Sequence, residues 1–266
     1  MDLNIKGKRA LVTGSTSGIG EAIAKLLAAE GVTVIVHGRS RERAEAVAAH
    51  ITSAGGTAEI ALGDLSSDAG ADAVAAQARA GGAIDILVNN AGRYQHLNWT
   101  TALPAEWRDT FEANVLSAVR MIQRLVPDMR QRGWGRVIQI GGGLASQPNA
   151  ELPDYNASLA ARHNLAVSLA RELGNTGVTS NIVAPGAILV PAVKSILESV
   201  AQHRGWGDSW EQIEDACVRE MVPNDVGRLG RPEEIAAAVA YLASTHADYV
   251  SGATIRVDGG TIRSVA

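Results

Sequence analysis

The chain has 266 residues, of which 46% are hydrophobic and 20% charged, with a net charge of -4 and a single cysteine. That is an ordinary globular composition and a length that suits one α/β domain, so intrinsic disorder and collagen-like structure are excluded. The slightly acidic balance argues against a general nucleic-acid binder, which carries a basic surface. One cysteine, Cys217, excludes an internal disulfide or a Cys-rich zinc site and reads as a buried structural thiol. Aromatics are only 4%, so Ala, Val, Leu and Ile must build the core.

The N-terminal stretch MDLNIKGKRALVTG lacks a charged region followed by a long apolar run, so no signal peptide is expected. No apolar run reaches the roughly 18 residues of a membrane span. The expected location is the cytoplasm, with an organelle reached through a removed targeting peptide as the alternative.

Apolar, β-rich runs predict strands at residues 9–12, 33–36, 58–62, 84–88, 136–140, 178–183 and 254–257. Several are apolar throughout, as strands covered on both faces are. Ala-rich stretches between them predict helices at residues 21–30, 41–54, 68–80, 104–132, 155–173 and 233–243. Strand–helix alternation implies right-handed crossovers and a parallel sheet within a single domain, residues 1–266. The stretch 187–226 breaks this rhythm with Trp206, Gly207, Asp208 and Trp210. It reads as a long loop, and long loops in compact domains are often lids. Its two tryptophans are either an apolar contact surface or packing anchors.

The first strand runs into Thr13-Gly14-Ser15-Thr16-Ser17-Gly18-Ile19-Gly20 and then a helix. Glycine permits a sharp turn and close backbone approach, and a helix N-terminus favours a phosphate. The second strand ends in His37-Gly38-Arg39-Ser40. A carboxylate at that place selects the ribose hydroxyls of NAD. Here Arg39 offers a forked guanidinium to a 2′-phosphate instead, which favours NADP(H) and leaves NAD(H) as the alternative. His37 has no partner cluster and reads as a structural histidine.

Further motifs follow in order: Asp64-Leu65, Asn89-Asn90-Ala91-Gly92, Asn114, Tyr155, Pro185-Gly186 and Val257-Asp258-Gly259-Gly260. With the glycine loop, they make the chain resemble the short-chain dehydrogenase/reductase family, in particular its 3-oxoacyl-ACP-reductase-like members, from about residue 6 to 260. The resemblance implies a Rossmann fold with a seven-stranded parallel sheet and helices on both faces. It implies a nicotinamide cofactor, a small-molecule carbonyl or alcohol substrate, and a homotetramer with the helices around 104–132 and 155–173 at an interface. By the same resemblance, Gly14 to Gly20 hold the pyrophosphate and Asp64 and Leu65 flank the adenine. Asn90, Ala91 and Gly92 contact the adenosine side and the strand end, and Pro185, Gly186 and Ile188 meet the nicotinamide and its carboxamide. Tyr155 falls at the acid/base position and also among the cofactor contacts, and Asn114 at that of a helix asparagine holding a relay water. Residues 187–226 become the substrate-covering loop.

The catalytic set departs from the family pattern. The family's serine, thirteen residues before the tyrosine, is Gly142 here, and its lysine, four residues after, is Leu159. A threonine expected after Pro-Gly is Val190. If the lysine normally lowers the tyrosine pKa by about three units, its loss amounts to roughly 4 kcal/mol, on the order of a thousandfold in rate. Losing one donor to the reacting oxygen commonly costs about a hundred- to a thousandfold, though groups that act as a unit do not add. Arg162 stands only about 20° from Tyr155 around a helix and is a candidate substitute cation. His163 is a weaker one, and Ser146 a candidate substitute hydroxyl. Two readings follow: an NADP(H)-dependent oxidoreductase with an altered relay, or a nucleotide-binding relative reused for non-redox chemistry or regulation.

Overall fold

The computed structural model describes residues 2–264. Seven strands form one parallel sheet: β1 (Arg9–Val12), β2 (Thr33–Gly38), β3 (Thr57–Leu62), β4 (Ile86–Asn89), β5 (Gly135–Ile140), β6 (Val178–Pro185) and β7 (Thr254–Val257). Their spatial order is β3-β2-β1-β4-β5-β6-β7. Strand β1 pairs with β2 on one side (Arg9 opposite Thr33) and with β4 on the other (Ala10 opposite Ile86). The chain order therefore reverses between β1 and β4, and a crevice opens there at the carboxyl ends of the strands.

Alternation along each strand splits the apolar side chains between two layers. Ala10 and Val12 face a core shared with α1 (Gly18–Ala29) and α9 (Pro232–Ala243). Leu11, between them, joins the opposite core with α3 (Asp68–Arg79) and α5 (Ser117–Arg132). Helix α2 (Arg41–Ser53) sends Val47 and Ile51 into the first layer.

Two expectations are corrected. The single helix expected over 104–132 is α4 (Pro104–Phe111), a π turn at Glu112–Leu116, and then α5. A π turn inserts one residue into the helical repeat and is common at functional sites. The expected irregular loop over 187–226 instead contains α7 (Pro191–Arg204) and α8 (Trp210–Glu220). Pro191 suits the first turn of α7, and Gly205, at φ 68°, ends it in the left-handed conformation. Ser209 and Gln212 form a capping box that starts α8. The pair has its own small core of Leu197, Ala201, Trp206, Ile213, Ala216 and Cys217. Trp206 is a packing anchor whose indole N–H donates to Glu220 at 2.9 Å. Among the described residues no helix is long and apolar enough to cross a membrane.

Candidate active site

The glycine loop leaves β1 and enters α1, and polar ties hold it from both sides. Gly14 (φ 65°) and Gly18 (φ 58°) take left-handed backbone that other residues adopt at a cost. The Gly14 N–H donates to Nδ1 of His37 at 3.0 Å, and the Ser15 hydroxyl accepts the His37 N–H at 3.0 Å. Since Nδ1 accepts, Nε2 carries the proton and donates to the Gly63 carbonyl at 3.3 Å. Burial then holds the imidazole pKa down at about 4, so the ring stays neutral as a structural group.

From the β4 side, the Thr13 hydroxyl accepts the N–H groups of Asn90 (2.9 Å) and Ala91 (3.0 Å). The Asn90 side-chain amide donates to the carbonyls of Thr13 and Gly14 at 2.9 and 3.0 Å. A methyl group at Gly20 would collide with that amide and with the Gly14 carbonyl. Asn90, expected at the adenosine side and the strand end, thus shapes the loop through its side-chain amide. Ser17, the N-cap of α1, makes no side-chain cap bond, so the first-turn N–H groups stay open to an anion. Thr16 and Ile19 are partly exposed along the same rim.

At the adenosine end, Arg39 is exposed and makes no hydrogen bond or ion pair among the described residues. Ser40 instead caps α2, accepting the Arg43 N–H at 3.4 Å. Asp64 is exposed and its carboxylate accepts the Ser66 N–H, which holds its pKa below the ordinary value. Leu65 packs into the core with its side chain. Backbone glycines, an open helix N-terminus and an unpaired guanidinium form a donor set that fits a dinucleotide carrying an extra phosphate.

The other half of the crevice lies beyond β4, at the ends of β5 and β6. Tyr155 stands in the first turn of α6 (Pro153–Glu172). It is half-buried, and its hydroxyl has no protein partner among the described residues. Its ring lies 5.7 Å from that of Tyr94, tilted by 47°. Burial pushes the Tyr155 pKa above its ordinary value of 10.0, Arg162 pulls it back, and Tyr94 adds to the rise. Asn114, in the π turn, is 1% exposed. Its amide donates to the Arg93 carbonyl and the Ser158 hydroxyl, both at 2.9 Å, and its oxygen accepts the Arg93 N–H at 2.7 Å. Both amide hydrogens are therefore spent on protein, and the side chain pins the segment after β4 to α6.

The two altered positions touch. A Cβ on Gly142 would lie 3.0 Å from Cδ1 of Leu159, which is 2% exposed. Leucine fills the space beside the glycine, and a serine there needs the leucine to give way. Ser146 is exposed, and His163 packs against Gly141. Arg162 is buried behind them and donates to three strand-end carbonyls. Beyond β6, Pro185 is buried, Gly186 N–H donates to the Val257 carbonyl at 3.0 Å, and Ile188 bridges to Gly230. Val190 reaches across to the glycine loop, 3.3 Å from where a Gly18 Cβ would stand.

Comparison with known proteins agrees with this geometry. The family model for short chain dehydrogenases matches residues 8–201. The chain is 37% identical to an uncharacterized oxidoreductase of Bacillus subtilis over the full length of both. It is 35% identical to the 3-oxoacyl-[acyl-carrier-protein] reductase of Escherichia coli, covering 97% of this chain and 98% of the relative. Among solved structures, L-sorbose reductase from Gluconobacter frateurii, complexed with NADPH and L-sorbose, superposes with a TM-score of 0.93 at 33% identity over the full length of both. A 3-oxoacyl (acyl-carrier-protein) reductase from Agrobacterium tumefaciens with NADP bound gives 0.88 at 36% identity, covering 97% of this chain and 96% of that one. By sheet order, glycine loop and full-length similarity together, the chain belongs to the short-chain dehydrogenase family.

Proposed function

We propose that this protein is an NADP(H)-dependent oxidoreductase that interconverts a small-molecule ketone and the corresponding alcohol. The observation that carries this reading is the unpartnered Tyr155 hydroxyl on one side of the crevice, with unpaired Arg39 on the other. Strands β1 and β4 lie between them, so a ligand anchored at Arg39 must cross the glycine loop to reach Tyr155. The 2′-phosphate of NADP(H) gives Arg39 a charge-assisted partner, and the solved relatives with NADPH or NADP support the same choice. NAD(H) is the competing cofactor.

When bound, NADPH would supply the hydride for the carbonyl carbon, held by the glycine loop and Arg39. Tyr155 hydrogen-bonds the carbonyl oxygen and gives it a proton, and solvent restores the proton to the phenol. Burial keeps that phenol protonated at neutral pH, which suits reduction over oxidation. Gly142 supplies no side-chain donor, so Tyr155 alone carries the oxygen's hydrogen bond from this pair of positions. A polyhydroxy ketone such as L-sorbose comes first among substrates to test, and a 3-oxoacyl thioester second.

The apolar Gly142–Leu159 contact favours a second reading, nucleotide binding with little redox turnover. NADPH and NADH affinities, followed by turnover on a panel of ketones and aldehydes, separate the two. NADPH binding without turnover on any member selects the second, and no nucleotide binding rejects both. The assembly proposed is a homotetramer, tested by light scattering, with exposed Leu103 and Trp99 beside α4 among the apolar groups for an interface to cover.

A further inference from the structure

Two arginines of this chain are almost completely buried, and only one has an acid. Arg136 is paired with Asp248 and stacks on Trp134, 4.4 Å from the ring centroid. Arg162, 3% exposed, has no carboxylate within ion-pair distance among the described residues. Its Nη1 donates to the Ile140 carbonyl at 2.8 Å, and its Nη2 to those of Asn89 (3.2 Å) and Ala91 (2.9 Å). Its Nε has no partner. Breaking a buried ion pair by removing one partner is strongly destabilising because the remaining charge is uncompensated. Carbonyl dipoles at the ends of β4 and β5 offset part of such a cost and leave a positive charge facing the crevice floor.

That floor adjoins Tyr155. Residues 155 and 162 are seven apart on α6, two turns less about 20°, and so share a face. Position 159, one turn after Tyr155, is the buried Leu159 and carries no charge. A Cβ at Gly92 would lie 3.8 Å from Arg162 Nη1 and 3.1 Å from Asn114 Oδ1, so guanidinium and amide both flank that glycine. Asn114 donates to the Ser158 hydroxyl at 2.9 Å, which donates to the Tyr155 backbone carbonyl at 2.8 Å and fixes the start of α6 over this floor. Other ionisable groups stand on α6 and on the segment after β4. Asp154, fully buried beside Tyr155, accepts the Thr110 hydroxyl of α4 at 2.6 Å through one oxygen, and its other oxygen has no partner among the described residues. Arg93 turns toward Glu106 and Asp109, at 3.8 and 3.9 Å. Burial lowers the His163 pKa, and the Tyr94 ring stands 5.7 Å from that of Tyr155.

We propose that Arg162 is a positioning residue for proton transfer, supplying from beneath the crevice the positive charge that stabilises the phenolate of Tyr155. This rests on Tyr155 being the proton donor. The charge stands one helical turn beyond the place where the family pattern has its lysine. Burial is the larger cause at both groups, pulling the Arg162 pKa down to about 10 and pushing that of Tyr155 up, while Tyr155 acts to raise the first and Arg162 to lower the second.

The test is the ultraviolet titration of Tyr155 itself. The chain has only four tyrosines, and subtracting the curve of Tyr155→Phe isolates the one of interest. Titrations are run with and without NADP, on the parent, Arg162→Met, Arg162→Gln and Arg162→Lys, with melting checked for each. In Arg162→Met and Arg162→Gln the midpoint is expected to rise by at least about one pH unit, a tenfold change in ionisation. Arg162→Lys is expected to restore most of the shift. Where reduction is measurable, the alkaline limb of kcat should move with the midpoint. Unchanged midpoints in folded neutral variants overturn the proposal. So does failure of both neutral variants to fold, since the residue then serves the strand ends. Failure of the reductase reading looks different: no ketone is reduced, yet the Tyr155 midpoint still follows the charge at 162.

Discussion

Around the glycine loop, the polar groups that shape the turn are tied: Thr13, Ser15, His37 and Asn90 all hold backbone there. Around Tyr155 the pattern inverts. An apolar contact, Gly142 against Leu159, occupies the ground beside it, and one unpaired cation lies underneath. The nucleotide half is rigidified by hydrogen bonds that need no ligand. The catalytic half keeps its one reactive hydroxyl without a protein partner. A binding platform can be preorganised by backbone geometry alone, whereas proton transfer depends on individual side chains and is the part that substitution alters first.

The largest test of this contrast is Tyr155→Phe, which removes one hydroxyl from a face with no other assigned donor. Turnover should fall at least about a hundredfold, while NADPH affinity, which belongs to the other half, changes less than about twofold. Steady-state rates and fluorescence binding on the same preparation check both, and undiminished turnover would remove Tyr155 from the mechanism.

The next test attacks the nucleotide half through pH. The folded His37 pKa is about 4 against 6.5 ordinarily. The unfolded chain therefore takes up a proton, as pH falls from 6.5 toward 4, that the fold refuses. Stability is fully present above 6.5 and declines through that window, by about 2 kcal/mol near pH 5. Urea melts at neutral pH and near pH 5 should show the loss, and His37→Gln should abolish that pH dependence. Since protonated Nδ1 cannot accept the Gly14 N–H, NADPH affinity should hold through that window and weaken only as pH approaches the folded value of about 4.

Repair of the catalytic half is a smaller effect. Gly142→Ser with Leu159→Lys should raise ketone reduction by at least about tenfold, or about 1.4 kcal/mol of barrier. Gly142→Ser alone should help less and lower the melting temperature, because the new Cβ meets Leu159. A folded double variant with no gain on any ketone would favour the non-redox reading.

The smallest expected effect is at Arg39, an exposed side chain. Arg39→Ala should weaken NADPH binding by about fivefold, near 1 kcal/mol, and leave NADH unchanged. Equal affinities for both nucleotides in the parent protein would refute the assigned selectivity.

Strand positions were legible in the sequence because apolar runs bounded by glycine and polar turns have few other uses: β1 and β7 match to the residue, and the others to within two. The π turn was not legible, since 104–132 keeps helical composition across it and the extra residue is set by tertiary ties such as Asn114 to Ser158. Helices α7 and α8 carried signals that went unused, Pro191 at a first turn and the Ser209–Gln212 box, obscured by the irregular Trp206-Gly207-Asp208 between them. For Arg162 the helix face could be computed from spacing, but not the absence of an acid, which depends on what every neighbouring element brings near. The Gly142–Leu159 contact likewise joins residues seventeen apart and appears only once β5 and α6 are packed.

The α7–α8 unit has one more consequence. A covering segment that is a flexible string must be frozen residue by residue when a ligand arrives, and each ordered side chain subtracts roughly 0.5–1.5 kcal/mol from affinity. This segment is already assembled around Trp206 and Cys217, and the parallel bridge between Ile188 and Gly230 joins its two roots. It behaves as a plate on a seam. Its opening should appear in hydrogen exchange as a single cooperative event spanning both helices, with amides in α7 and α8 exchanging together and separately from those of the sheet.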